Sequence, residues 1–326
     1  MSVRSAEHGS SPVVVYIVGS GRSGSTLLER TLGEVPGFCN VGEVVGLFRR
    51  AAVQDYRCGC GEPFSMCPFW QQVGERAFGG WSAVNLGRQA RLQLRVARQR
   101  SLPALGAGAR APAGFRAAVH EYGELHRRLY QAIAEVSGAR VVVDDSKWPA
   151  PAFALSKAGI DVRVLHLVRD ARGVAYSWAK SDVARPHDTG RGHTMPTHPV
   201  ASTALRWSAF QAEAGWLVRR AHTATTVRYE DFIAQPVPTL DRATRQLGQP
   251  VGSLRHLSAD SVTLGSSHGL GGNRSRFLTG EVPLRLDEQW RSAMSTKDRR
   301  VVTALALPGL VAYGYLPRRG TEPRGS

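Results

Sequence analysis

Residues 13–18, VVVYIV, run without a break into Gly19-Ser20-Gly21-Arg22-Ser23-Gly24-Ser25-Thr26 and then Leu27-Leu28. An apolar run this short, ended by glycine, reads as a strand covered on both faces. The glycine-rich turn behind it reads as a loop opening a helix, whose first backbone N–H groups favour an anion. Gly19 and Gly24 stand five apart with Ser25 and Thr26 following, the frame of a phosphate loop with serine where the lysine belongs. A nucleoside triphosphate hydrolase needs that lysine on the outer phosphates, together with magnesium. Here the nearest cation is Arg22, inside the turn. The segment therefore predicts an α/β chain that holds a phosphate or sulfate group, and argues only weakly for ATP.

The rest of the chain repeats this strand-helix grammar. Buried-strand patterns recur at 140–144 (RVVVD), 162–168 (VRVLHLV) and 224–228, with helices expected over 23–35, 120–136, 171–181 and 202–221. A loop carrying Cys39 and Glu43 is expected after the first helix. Arg88, Arg91, Arg95 and Arg98 recur at helical spacing, and 102–114, rich in Ala, Gly and Pro, is expected to break that helix as a mobile loop. Such alternation implies a P-loop-like three-layer α/β fold. A central mostly parallel sheet is covered by helices on both faces, with ligands at the carboxyl ends of the strands. One domain is expected over 13–316, between disordered tails at 1–12 and 317–326.

With 326 residues and 42% hydrophobic content the chain can bury a substantial core. Its apolar runs, 13–18 and a 301–312 run interrupted by Pro308, are too short for a bilayer, so no membrane span is expected. The first residues are polar and lack the apolar stretch of a signal peptide, which makes the cytoplasm the expected location. The net charge of +16 favours polyanionic partners without choosing nucleic acid among them. Four of the 42 cationic residues are lysines (Lys147, Lys157, Lys180 and Lys297), and the rest are arginines, suited to two-point contacts with oxyanions. Cys39, Cys58, Cys60 and Cys67 are too few for a disulfide scaffold at this length. The run YRCGCGEPFSMCPFW allows a zinc site if Cys39 or a histidine adds a fourth ligand. Its spacing matches no known finger, and structural packing or a disulfide is the simpler reading.

After VRVLHLV the chain continues Arg169-Asp170-Ala171-Arg172-Gly173-Val174-Ala175-Tyr176-Ser177-Trp178. An arginine at the strand tip and a hydroxyl two helical turns on, at Ser177, are suited to gripping one phosphate. The motifs GSGRSGSTLLERTLG and LVRDARGVAYSWAKS, with VRYED at 227–231 and HGLGGNRSRF at 268–277, resemble sulfotransferases that use 3′-phosphoadenosine 5′-phosphosulfate (PAPS). The resemblance covers nearly the whole chain. It is closer to the bacterial, tyrosylprotein and carbohydrate branches than to the soluble phenol and hormone branch, whose loop lysine and histidine base have no evident counterpart here.

The resemblance implies that Gly21, Arg22, Ser23, Gly24, Ser25 and Thr26 surround the 5′-phosphosulfate and that Arg169 and Ser177 take the 3′-phosphate. It puts Tyr229 near the adenine. The segment 271–276, with Asn273, would close over the nucleotide, with Arg274 or Arg276 as a further 3′-phosphate contact. Asn40-Val41-Gly42-Glu43 is similar to the loop that bears the catalytic glutamate, making Glu43 the expected base. Sulfuryl transfer is in line and loose, so positioning and charge dominate, by analogy with phosphoryl transfer. Arg22 and Lys147 are accordingly expected at the departing phosphate oxygen. Asp144 and Asp145 imitate the metal-binding strand of an ATPase but are expected to cap a turn or orient Lys147, and no metal is required.

The expected activity is sulfuryl transfer from PAPS to a hydroxyl, or an amine, of a small-molecule or glycan acceptor. Two rivals remain. A P-loop kinase or nucleotidase would use ATP and magnesium at the Asp144-Asp145 strand end. A nucleic-acid-binding protein would use the arginine stripe, but this lacks the interleaved aromatics of a stacking platform, so nucleic acid is not an expected partner. Acceptor specificity is expected to lie in the loops 38–81, 102–114 and 182–199, and homo-oligomerisation is left open.

Overall fold

The computed structural model of the chain describes residues 11–180 and 196–317. Five strands, β1 (Val13–Gly19), β2 (Phe38–Gly42), β3 (Val141–Lys147), β4 (Val162–Val168) and β5 (Thr223–Arg228), form one parallel sheet in the order β2-β3-β1-β4-β5. Central β1 is buried on both faces because its residues alternate between two layers. Val14, Tyr16 and Val18 belong to the core that contains Tyr130, Ile133 and Phe153. These come from the helices Ala113–Ser137 and Pro149–Lys157. Val15 and Ile17 belong to the opposite core with Leu28, Leu32 and Leu240, from the helices Ser25–Gly33 and Pro236–Gln246. Each such side chain contributes about 1.5–3 kcal/mol when fully buried, which fixes the sheet between its two helical layers. A third cluster, around Val174, Trp207 and Trp290, packs the helices Ala171–Ala179 and Val200–Val218 beside the tip of β4. Among the described residues no helix is long and apolar enough to cross a membrane.

Two local expectations are corrected, and one element is new. The segment expected as a loop around Cys39 is strand β2, whose polar Asn40 is tolerated because its side-chain amide donates to the buried Glu29 carboxylate at 2.9 Å. The segment 102–114 begins with a helix, Leu102–Ala107, that buries Leu105. An antiparallel hairpin, β6 (Ser261–Leu264) with β7 (Gly280–Pro283), was not anticipated. Most of each tail expected at 1–12 and 317–326, and most of the loop at 182–199, lies outside the described residues.

Strand β3 also runs past its valines through Asp144, Asp145 and Ser146, all buried, to Lys147. Its register against β1 slips between Tyr16 and Val18, so that Val18 pairs with Lys147. A bulge of this kind re-aims the side chains at a strand end.

Candidate active site

The carboxyl ends of all five parallel strands carry a residue singled out by the sequence. The glycine-rich turn follows β1, Glu43 follows β2, Lys147 ends β3, Arg169 follows β4 and Tyr229 follows β5. This is the rim at which open parallel sheets bind ligands, where the strand order reverses beside β1.

The turn itself is tightly made. Ser23 donates from both its N–H and its hydroxyl to the Ser20 carbonyl, at 3.2 and 2.7 Å. Gly24 has φ of 88°, and a Cβ there would come within 2.6 Å of the Tyr229 ring, so only glycine fits. No side chain caps the following helix, leaving its first backbone donors for an anion. Arg22 Nε and Ser20 Oγ are buried without a hydrogen-bond partner. Arg22 is also one of three non-glycine residues with positive φ among those described, with Asp55 and Lys147. Such conformations cost about 1–3 kcal/mol each and gather at functional sites. Two of the three are the cations expected to meet the leaving group.

Arg169 adds a second guanidinium to this turn. Its Nη1 donates to the Arg22 carbonyl at 3.0 Å, and its Nη2 donates to the backbone and carboxylate of Asp287 at 2.8 and 3.0 Å. Its charge lies 4.6 Å over the Tyr229 ring. Burial, and then repulsion from Arg169, lowers the pKa of Arg22. Two partly desolvated cations in this position create a field that an oxyanion relieves. Ser177 is half-buried on the helix Ala171–Ala179. Its neighbour Trp178 ties that helix to the turn by donating from Nε1 to the Gly21 carbonyl at 3.2 Å.

On the other side, Lys147 Nζ donates to Glu43 Oε1 at 2.7 Å and to Asp145 Oδ2 at 2.8 Å. Ser25 of the turn donates to that same Asp145 oxygen at 3.1 Å. Glu43 also accepts from the Gly272 N–H at 2.9 Å, and Arg50 stands 3.7 Å away. Burial on its own pushes the Glu43 carboxyl up, but the charge and hydrogen bond of Lys147, with Arg50 and Gly272, outweigh it and hold the carboxyl below its ordinary value. Burial likewise works against a charged Lys147, and Asp145 and Glu43 outweigh it and raise its pKa. Asp145 thus orients the lysine, one of the two uses expected of the Asp144-Asp145 pair. Asp144 instead accepts from the Tyr130 hydroxyl at 2.6 Å and from the Ser146 N–H at 2.8 Å.

Two expected nucleotide contacts sit differently. Arg276 is 1% exposed and donates to the carbonyls of Gly271 and Arg57, so it ties two chain segments together. Tyr229 is 7% exposed, with its ring under Gly24 and Arg169, which makes it a prop for both. Asn273 and Arg274 are exposed, and Asn273 Oδ1 accepts from the Ser275 N–H at 2.8 Å.

Sequence reasoning missed two residues of the loop's own helix. Buried Glu29 accepts from Asn40 and from the Gly42 N–H at 2.7 Å, setting the residue before Glu43. Buried Arg30 donates to the carbonyls of Gly265, Ser275, Arg276 and Leu278, holding the segment that covers Glu43. Charged residues this early in an apolar helix, in LLER, were the available signal.

The profile of the sulfotransferase family matches residues 12–252. The chain belongs to the sulfotransferase family. Among curated proteins none matches this sulfotransferase by sequence. Similar solved structures include the sulfotransferase domain from the curacin biosynthetic pathway, with 14% identity, a TM-score of 0.47, and coverage of 90% of this chain and 98% of that one. The sulfotransferase domain of the Synechococcus PCC 7002 olefin synthase shows 19% identity and a TM-score of 0.44 over 92% and 96%. A sulfotransferase from Alicyclobacillus acidocaldarius shows 15% and 0.36 over 92% and 97%. At these scores the structural likenesses add nothing to the family match, which carries the assignment.

Proposed function

We propose that this sulfotransferase moves the sulfuryl group of PAPS to a hydroxyl, or an amine, of a small-molecule or glycan acceptor, using Glu43, Lys147 and Arg22. The observation that carries this reading is the meeting of the glycine turn, two guanidiniums and the Glu43-Lys147 pair at one rim of the sheet. The orphaned donors Arg22 Nε and Ser20 Oγ and the uncapped helix start suit a bound phosphosulfate. PAPS supplies an activated sulfuryl group whose leaving group is a phosphate oxygen.

Each residue then has a chemical task. Glu43 accepts the proton of the acceptor hydroxyl as the new oxygen-sulfur bond forms and the bond to the phosphate oxygen breaks, a contribution of roughly 100-fold or more. Lys147 and Arg22 hold the charge that develops on that departing oxygen, where losing one donor costs about 100- to 1,000-fold in kcat. Asp145 and Ser25 keep Lys147 aimed. Arg169 and Ser177, with Arg274 from the covering segment, take the 3′-phosphate.

An ATP reading has less support. The turn has no lysine, and one oxygen of Asp145 is already engaged by Lys147 and Ser25. The test is calorimetric titration of the chain with PAPS and, separately, with ATP and magnesium, followed by mass detection of sulfated products from a panel of hydroxylated acceptors. PAPS binding that weakens in Arg169→Ala supports the proposal. ATP binding without PAPS binding sinks it.

A further inference from the structure

Cys58, Cys60 and Cys67 converge with His268, although the histidine lies 201 residues beyond Cys67. The four donor atoms all lie within 4.8 Å of one another. Cys67 Sγ is 3.5 Å from Cys58 Sγ, 3.7 Å from Cys60 Sγ and 3.3 Å from His268 Nδ1, and Cys58 Sγ is 3.6 Å from the same nitrogen. Bonds of about 2.3 Å to sulfur and 2.0 Å to nitrogen at tetrahedral angles separate two sulfurs by about 3.8 Å and a sulfur from a nitrogen by about 3.5 Å. The observed spacings are those of ligands around one such centre. A disulfide would use two of the three sulfurs and leave the third and the imidazole without a purpose. Cys39 is not part of the cluster.

We propose that these four residues bind one zinc ion. Three sulfurs and one nitrogen in a tetrahedron suit zinc among the common divalent metals. The protein fills all four positions, so the site is structural. The surroundings support it. Cys67 stands at the N-cap position of the helix Pro68–Phe78, whose positive end favours a thiolate. The imidazole is stacked 4.6 Å from the Phe69 ring, and the His268 backbone carbonyl accepts from Trp70 Nε1 at 2.9 Å, so both ring and main chain are held. The Cys58 N–H donates to the Glu62 carbonyl and Gly61 to the Cys58 carbonyl, closing a tight turn around the first two ligands.

The site would lock the covering segment to the rim. Gly59 donates to the Gly269 carbonyl at 3.0 Å, and Leu270, two residues beyond the histidine, accepts from the Glu43 N–H at 2.5 Å. Zinc would therefore hold Glu43 in place from a distance and is assigned no part in the transfer step.

The full chain, purified without chelator or added metal, is expected to hold one zinc per chain by elemental analysis. Cobalt exchanged into it should give the intense charge-transfer and visible bands of a tetrahedral three-thiolate site. Cys67→Ala and His268→Ala should lose zinc, while Cys39→Ala keeps it. If a variant fails to fold, the cobalt spectrum of the unaltered chain decides by itself. Zinc well below one per chain with all four thiols open to alkylation, a mass two hydrogens short without zinc, or cobalt bands lacking thiolate character would each overturn the proposal. None of these readouts depends on PAPS, so the sulfuryl-transfer reading stands or falls separately.

Discussion

Lys147 Nζ and Glu43 Oε1, 104 positions apart in sequence, are joined by a 2.7 Å hydrogen bond at the tips of two neighbouring strands. The lysine side chain is 15% exposed and the glutamate 18%. The pair is costly to break from the lysine side, because losing Lys147 leaves two sheltered carboxylates, Glu43 and Asp145, without their shared cation.

That asymmetry gives a double-mutant cycle. Lys147→Met leaves Glu43 and Asp145 facing each other without their shared cation, and is expected to destabilise the chain more than Glu43→Gln, which leaves Lys147 paired with Asp145. The two changes together should cost less than their sum, with a coupling of about 0.5–3 kcal/mol. Denaturant titration of the four proteins measures it. A coupling of zero would mean that the pair does not persist in solution.

The same pair sets the pH profile. With its carboxyl held below the ordinary value, of about 4.3 for glutamate, Glu43 stays ionised and able to accept a proton well into the acid range. The acid limb of kcat/KM, which reports the free enzyme, is expected below that value. In Lys147→Met the largest counterweight to burial is lost, so whatever activity remains should have its acid limb moved upward. Glu43→Gln should lower kcat by roughly 100-fold or more while leaving PAPS affinity nearly unchanged. Loss of PAPS binding in step with activity would assign Glu43 to the nucleotide instead.

Much of this site was legible because strand tips advertise themselves. The turn after β1, Lys147 at the end of VVVDDSK and Arg169 after VRVLHLV all close segments that read as strands from their clustered valines and leucines, and the sheet then brings them together. Strand β2 was not legible, because FCNVG carries too few apolar residues to alternate and owes its place to Glu29 on another element. The bracing role of Arg276 was hidden for a similar reason. Its burial depends on Arg57 and Gly271, a closure no local pattern encodes. His268 was invisible as a partner for the cysteines, since only the folded chain brings that segment beside them.

On the proposed reading Arg169 contacts the 3′-phosphate while its Nη1 and Nη2 hold the Arg22 carbonyl and Asp287, and lysine does not reproduce that planar fork. Arg169→Lys is expected to weaken binding of 3′-phosphoadenosine 5′-phosphate by roughly 10- to 100-fold, in line with about 1.5–3 kcal/mol for a charged hydrogen bond. Binding of adenosine 5′-phosphate should hardly change. Equal losses for both nucleotides would show that Arg169 serves only to brace Arg22 and Asp287.

A last prediction concerns stability in acid. His126, 2% exposed with its Nδ1 2.8 Å from the Tyr122 carbonyl, is pushed down to about 4 by burial, which outweighs that hydrogen bond. His166, 1% exposed against Gln211 Oε1 at 2.8 Å, is pushed down to about 4 for the same reason. Both are depressed in the fold and ordinary, at about 6.5, when unfolded. Between those two values the unfolded chain binds more protons, so their contribution is intact above about 6.5 and is lost as pH falls toward about 4. His126→Phe keeps an aromatic ring beside Phe48 and removes one proton site. Its stability should therefore decline less steeply than that of the unaltered chain over this interval. Denaturant midpoints at several pH values test this, and identical slopes for the two proteins would mean that His126 already titrates normally in the fold.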